Sequence, residues 1–223
     1  MSVVLPRWPK GPFPERYRWD PVAERLKDAW SEPRRAAALA RLLEGGWTPD
    51  ASYEDPWVRV LRPKSSDPEP SPEPDPEPSP DPEPSPEPAL DSLFAELAMD
   101  GITAFRWDPP QGEPATPGAI ALVASDDPVD AIVAVGVSGP RHGVGVAALV
   151  RYTVAIRGLT RFGIHTAGEE RVVLSLDPPT ELVRLRIAER ALRVCPPLGR
   201  TGISIEALAA SIAETHLLDL TYR

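Results

Sequence analysis

In a chain of 223 residues, three histidines and one cysteine are the candidates for nucleophile and base chemistry. Cys195 could act as a thiol nucleophile if His165 or His142 lay beside it to take its proton. Arg141, next to His142, would add a guanidinium. Arg141, His142, His165 and Cys195 thus define a candidate pocket for a hydrolase or transferase in the C-terminal half. Each also has a plainer reading. Cys195 ends an apolar helical face and precedes two prolines, the setting of a small buried hydrophobe. His216 falls at a helix C-terminus, where positive charge complements the dipole. There is no second cysteine and no histidine pair at helical spacing, so a zinc ligand set is missing. These residues assign no catalytic group, no cofactor and no metal.

Other clusters resolve in the same direction. Gly143-x-Gly145-x-x-Ala148 has the outline of a dinucleotide fingerprint, but that motif needs a tight strand-to-helix turn and an acid about 20 residues on. Here the preceding "SGPRH" is too long and position 163 is Gly, which leaves a helix entry. Asp126, Asp127 and Asp130 suit capping and the first turn of a helix. Arg184, Arg186, Arg190 and Arg193 line one helix with Glu181 and Glu189 as pairing partners, a solvated face that could also receive an acidic partner.

The elements that must position these residues fall on both sides of "SSDPEPSPEPDPEPSPDPEPSPEP", residues 65–88, where every even position from 68 is proline. Proline fixes φ, lacks an N–H and drives its predecessor out of the helical region. Polyproline II is therefore expected, up to about 74 Å long at roughly 3.1 Å per residue. The segment carries eight acids and no base, so it holds nearly all of the net charge of −9. Its default role is a stiff spacer, and its repeated PxxP spacing also fits a ligand for an aromatic groove.

Ahead of it, residues 1–64 carry 12 Lys and Arg against 9 Asp and Glu. Asp20-Pro21 starts a helix with Val22, Leu26, Ala29 and Trp30 on one face. Ser31 and Pro33 start a second, with Ala36, Leu39, Ala40 and Leu43 inward, closed by Gly45-Gly46. "WTPDASYEDPWVRVL" reads as two short strands around a turn. Five of six tryptophans lie in this small Trp-rich module, three of them (Trp30, Trp47, Trp57) expected in its core, with Trp8 in a proline-rich arm as a candidate partner contact. Helix, helix, hairpin is also the outline of a winged helix-turn-helix, whose second helix would offer Arg34, Arg35 and Arg41 to DNA. The weak positive balance disfavours a nucleic-acid partner.

After it, Leu90, Leu93, Phe94 and Leu97 follow helical spacing and Gly101 closes that helix. "ITAFRW" and "AIALVA" read as strands. Residues 129–137 fit helix or strand. Helices are expected over 146–162 and 180–194, and from Ser204, where Ile203 and Leu208 form a hydrophobic staple across the cap. "RVVLSL" and "LLDLTY" are strands. The fold class is α+β, with a small helix-helix-hairpin module (1–64), a polyproline II linker (65–88) and a larger α/β-type domain (89–223).

From about 120 to 222 the order of features resembles a bacterial group, domain-of-unknown-function family 4253. The corresponding pieces are "GVSGPRHG" (136–143), "LTRFG" (159–163), "VVLSLDPP" (172–179), "ERALRVCPP" (189–197), "RTGISIEALAASI" (200–212) and "LLDLTYR" (217–223). The family aspartate after Cys-Pro is Pro197 here, and the aromatic cluster of the last strand is reduced to Tyr222. The resemblance implies a fold, supplies no activity and does not reach residues 1–88.

A lone cysteine fits a reducing compartment. The N-terminus lacks an apolar core of signal-peptide length, and no apolar run approaches the roughly 20 residues that span a bilayer. The Arg, Ala and Pro bias resembles a GC-rich bacterial genome. The expectation is a cytoplasmic, non-enzymatic, two-module accessory or protein–protein interaction protein with an unidentified protein partner and no membrane. The alternatives are a DNA-binding regulator through the N-terminal module and a small-molecule enzyme with its site in the C-terminal module.

Overall fold

A computed structural model of the chain describes residues 14–64, 87–110, 117–137 and 143–222. Its centre is one mixed sheet of seven strands in the order β1-β2-β4-β3-β5-β6-β7. These are β1 (Trp47–Pro49), β2 (Val58–Pro63), β3 (Thr103–Trp107), β4 (Ile120–Val123), β5 (Phe162–Gly168), β6 (Arg171–Leu176) and β7 (Leu217–Thr221). β3 and β5 run parallel, and every other neighbouring pair is antiparallel.

The expected hairpin forms, with Trp47↔Pro63 to Pro49↔Leu61 in register. It does not belong to a separate module. β2 is registered on β4 from Val58↔Val123 to Leu61↔Ile120, so residues on both sides of 65–88 build one sheet. The alternation of β2 explains why. Val58 and Val60 face one side and Leu61 the other, all buried. Two short strands cannot cover both faces, and the covering groups come from both sides of residues 65–88. Val58 and Val60 join Tyr17, Val22, Leu26, Phe105, Ala121 and Ile132 in the larger core. Leu61 joins Ala38, Leu42, Leu97, Ile102 and Leu122 in the smaller one. Of the linker, residues 65–86 lie outside the described residues.

Helices α1 (Trp19–Leu26), α4 (Pro128–Val135), α5 (Val146–Arg157), α6 (Glu181–Val194), α7 (Pro196–Arg200) and α8 (Ile205–Thr215) carry the larger core on one face of the sheet. On the other face, α2 (Pro33–Glu44) and α3 (Glu87–Met99) cover the β1–β3 half. The open choice at 129–137 resolves as helix. Asp127 caps it through Val129 N–H, Pro128 sits at its first position and Gly136 closes it at φ 73°. These end signals outweigh the β-branched content of a short, wholly buried helix. The helix expected over 146–162 stops at Arg157, and β5 follows.

Two aspartates at the head of α4 clasp the N-terminal helix. Asp127 accepts hydrogen bonds from Arg16 (3.0 Å), the Tyr17 hydroxyl (2.8 Å) and Arg157. Asp130, 2% exposed, accepts from Arg25 and from Ser125 Oγ (3.0 Å). Burial alone would raise the Asp127 carboxyl; the bonds from Arg157, Val129 N–H and Tyr17, with the charge of Arg157, outweigh it and hold it below the ordinary carboxylate range. The acidic cluster thus does cap a helix, and it also ties Arg16, Tyr17 and Arg25 to the head of α4.

Candidate functional site: a cleft between β3, β5 and α3

The α2–α3 layer ends at β3, and the β5–β7 half of that face presents Gly163, His165, Ser175, Leu217 and Asp219 beside it. β3 and β5 are in register only at Arg106↔Thr166 and Trp107↔Ala167. Above that seam, Asp108 N–H donates to Ala167 O at 3.0 Å. The backbones approach so closely there that a Cβ on Gly168 would lie 1.9 Å from Asp108 O. Below the seam the earlier residues of both strands line a cavity of about 630 Å³. That volume lies within the roughly 300–1,000 Å³ usual for small-molecule sites.

The cavity's lining is mainly apolar: Phe94 and Ala98 from α3, Ile102 and Ala104 leading into and along β3, Phe162 and Ile164 from β5, and Leu217 from β7. Polar groups converge on it from three strands, β3, β5 and β6, from α3 and the end of α8, and from two connecting segments. The innermost pair is Arg106 with His165. Arg106 Nη1 lies 2.7 Å from His165 Nε2. A guanidinium only donates, so Nε2 is the acceptor and the imidazole proton sits on Nδ1, where Thr166 Oγ1 accepts at 2.9 Å. Arg106 Nη2 also lies 3.6 Å from Asp91 of α3, whose carboxylate is 69% exposed; a pair so open to solvent contributes little.

His165 is aimed by an irregularity in its strand. Ile164 pairs with Leu174 and Thr166 with Val173, so β5 carries one extra residue, and it is His165. Such bulges bend a strand and re-aim a side chain. Gly163 helps, because a Cβ there would sit 3.0 Å from Ser175 Oγ. At the mouth stand Asp126, Thr215 and His216. His216 follows α8 in the left-handed conformation, φ 56°, the one positive φ among the described non-glycine residues. Glycine usually takes that position.

The candidates drawn from sequence are scattered. His165 lines the cleft. Cys195 is on the other side of the sheet, fully buried in the larger core with Leu218, Leu220 and Tyr222. Its Sγ donates to Thr221 O at 3.2 Å, and burial raises the thiol above its ordinary range. A Cys195–His165 nucleophile–base pair therefore does not form. Arg141, His142 and Trp8 lie outside the described residues. Arg35 donates to Gly101 O (3.1 Å) and Arg41 pairs with Asp100 (2.6 Å), which fastens α2 to the α3–β3 turn and leaves Arg34 exposed. On α6, Arg184 donates to Pro179 O and Glu189 takes both Arg186 and Arg193. Gly143, at φ 69°, and Gly145 lead into α5 as a helix entry. Among the described residues, no group of three or more His, Cys, Asp or Glu could hold a metal ion, and no helix is long and apolar enough to cross a membrane.

Arg106 was the residue that sequence reasoning passed over. The available signal was a charge in mid-strand, two positions from buried Ala104 on the same face.

Comparison with family models, curated proteins and solved structures gave no match to this chain.

Proposed function

We propose that the chain is an accessory protein that binds a small molecule in the cleft between β3, β5 and α3. The observation that carries this reading is the convergence of a bulged histidine and a half-buried arginine at 2.7 Å on an apolar cavity of about 630 Å³. An apolar chamber with few, well-placed polar groups is the ordinary form of a ligand site. The chemistry is recognition. Of the three readings drawn from sequence, this keeps the accessory role and takes its location from the small-molecule one.

The test is a ligand-observed NMR screen of mixed fragments against the full chain, repeated with Ala98→Trp. Ala98 is exposed on α3 at the cavity wall, so an indole there fills the mouth without touching the core. Fragments that bind the native chain and are lost with Ala98→Trp support the reading. Fragments that bind both chains equally, or none that bind, refute it.

A further inference from the structure

We propose that the cleft takes a carboxylate on an apolar body, and that one proton from solvent enters at His165 Nε2 as the ligand binds. The inference rests on the cleft being a ligand site and adds the ligand's charge and its coupling to pH. The innermost polar groups decide the charge. The Arg106 side chain is 20% exposed, while the Asp91 carboxylate beside it is 69% exposed and loosely placed at 3.6 Å. Solvent screens the outer carboxylates far more than the inner guanidinium. A planar carboxylate matches the guanidinium fork, and Phe94, Ala98 and Leu217 supply contact for an apolar body.

The proton follows from the donor inventory. In the empty cleft, Nε2 of His165 presents a lone pair to Arg106 Nη1. A carboxylate entering between them gains the guanidinium donors but meets that lone pair. Once Nε2 is protonated, both sides of the ligand face donors, with Nδ1–H still held by Thr166 Oγ1. The proton is returned when the ligand leaves. The other groups facing the pair are Asp91 from α3, Ser175 from β6, and Asp126, Thr215 and His216 at the mouth. Asp91 and Asp126 favour the imidazolium, and the Arg106 guanidinium, 2.7 Å from Nε2, opposes it until the carboxylate enters between them.

The experiment is isothermal titration calorimetry of the full chain with benzoate, in two buffers of different ionisation heat. Benzylamine and benzyl alcohol serve as cationic and neutral controls of the same ring. Benzoate is expected to bind with uptake of about one proton, and its affinity to fall as pH rises. His165→Gln, whose amide N–H₂ donates without titrating, should bind benzoate with no proton uptake and a flat pH profile. Arg106→Gln should lose benzoate binding. Benzoate binding without proton uptake in the native chain overturns the coupling, and leaves the cleft as a ligand site. Equal binding of the three probes overturns the charge preference. No benzoate binding overturns the inference even if the fragment screen succeeds.

Discussion

Replacing Asp127 tests whether the N-terminal helix is part of the folded body. Its carboxylate is 11% exposed and receives Arg16, Tyr17, Arg157 and the N–H of Val129. Asp127→Asn keeps a competent cap but removes the charge that holds two guanidinium groups and a hydroxyl. Hydrogen bonds to a charged group contribute about 1.5–3 kcal/mol each when buried. Arg16 and Arg157 are partly solvated, at 59% and 38% exposure, so their shares are smaller. A total loss of about 2 kcal/mol is expected for Asp127→Asn. Asp127→Ala also loses the cap, about 1 kcal/mol more. Urea unfolding followed by tryptophan fluorescence would measure both. Acid gives a second signature. The folded carboxyl lies below its unfolded value, so its stabilisation is present above the unfolded value, near pH 3.9, and is lost as pH falls through the folded one. The native chain should therefore weaken below about pH 4 more steeply than Asp127→Asn. In a chain whose Arg16 and Tyr17 are both replaced, the Asp127→Asn effect should shrink to the share of Arg157, which keeps its own bonds to Asp127. A loss below about 0.5 kcal/mol in the otherwise native chain would refute the clasp.

Four further outcomes are expected. Gly168→Ala should cost more than about 3 kcal/mol in the same assay, because its Cβ cannot share space with Asp108 O and the β3–β5 seam must open. His216→Gly should raise stability by about 0.5 kcal/mol by relieving its left-handed backbone; a loss instead would show that the side chain stabilises the fold. Tyr222→Phe should be neutral or stabilising by up to about 1 kcal/mol, since the buried Tyr222 hydroxyl has no hydrogen-bond partner among the described residues. Cys195 should resist a thiol-specific disulfide reagent at pH 8 until the chain unfolds, because burial raises the thiol and closes access to it; rapid labelling of the native chain would contradict the placement.

Local signals in the sequence located most elements. Leu90, Leu93, Phe94 and Leu97 marked α3, and Gly101, at φ 74°, closes it as expected. Ser204 caps α8 through Ala207 N–H. What local signals lacked was the identity of the partner across each surface. β2 looked like half of a small hairpin because its alternation shows two apolar faces without showing what covers them. β5 went unseen because Gly163, His165 and Gly168 are poor strand formers; pairing with β3 and β6 on either side makes it a strand. Of the site, His165 was legible as a titratable residue. Its bulge and its meeting with Arg106 depend on register between strands 59 residues apart in sequence, which no periodicity reports. The separation of Cys195 from His165 is equally a matter of tertiary placement, since the α6–α7 junction that carries Cys195 packs on the face of the sheet opposite His165.

The account stands on the two stretches flanking residues 65–86 sharing a sheet and both cores. A protease site introduced between residues 70 and 80, cut to completion under native conditions and followed by size-exclusion chromatography, tests that most directly. The two pieces should co-elute at the position of the uncut chain and part only in denaturant, because β2–β4 pairing and the burial of Val58, Val60 and Leu61 join them without the connecting peptide. Two separate folded species eluting independently at micromolar concentration would contradict it.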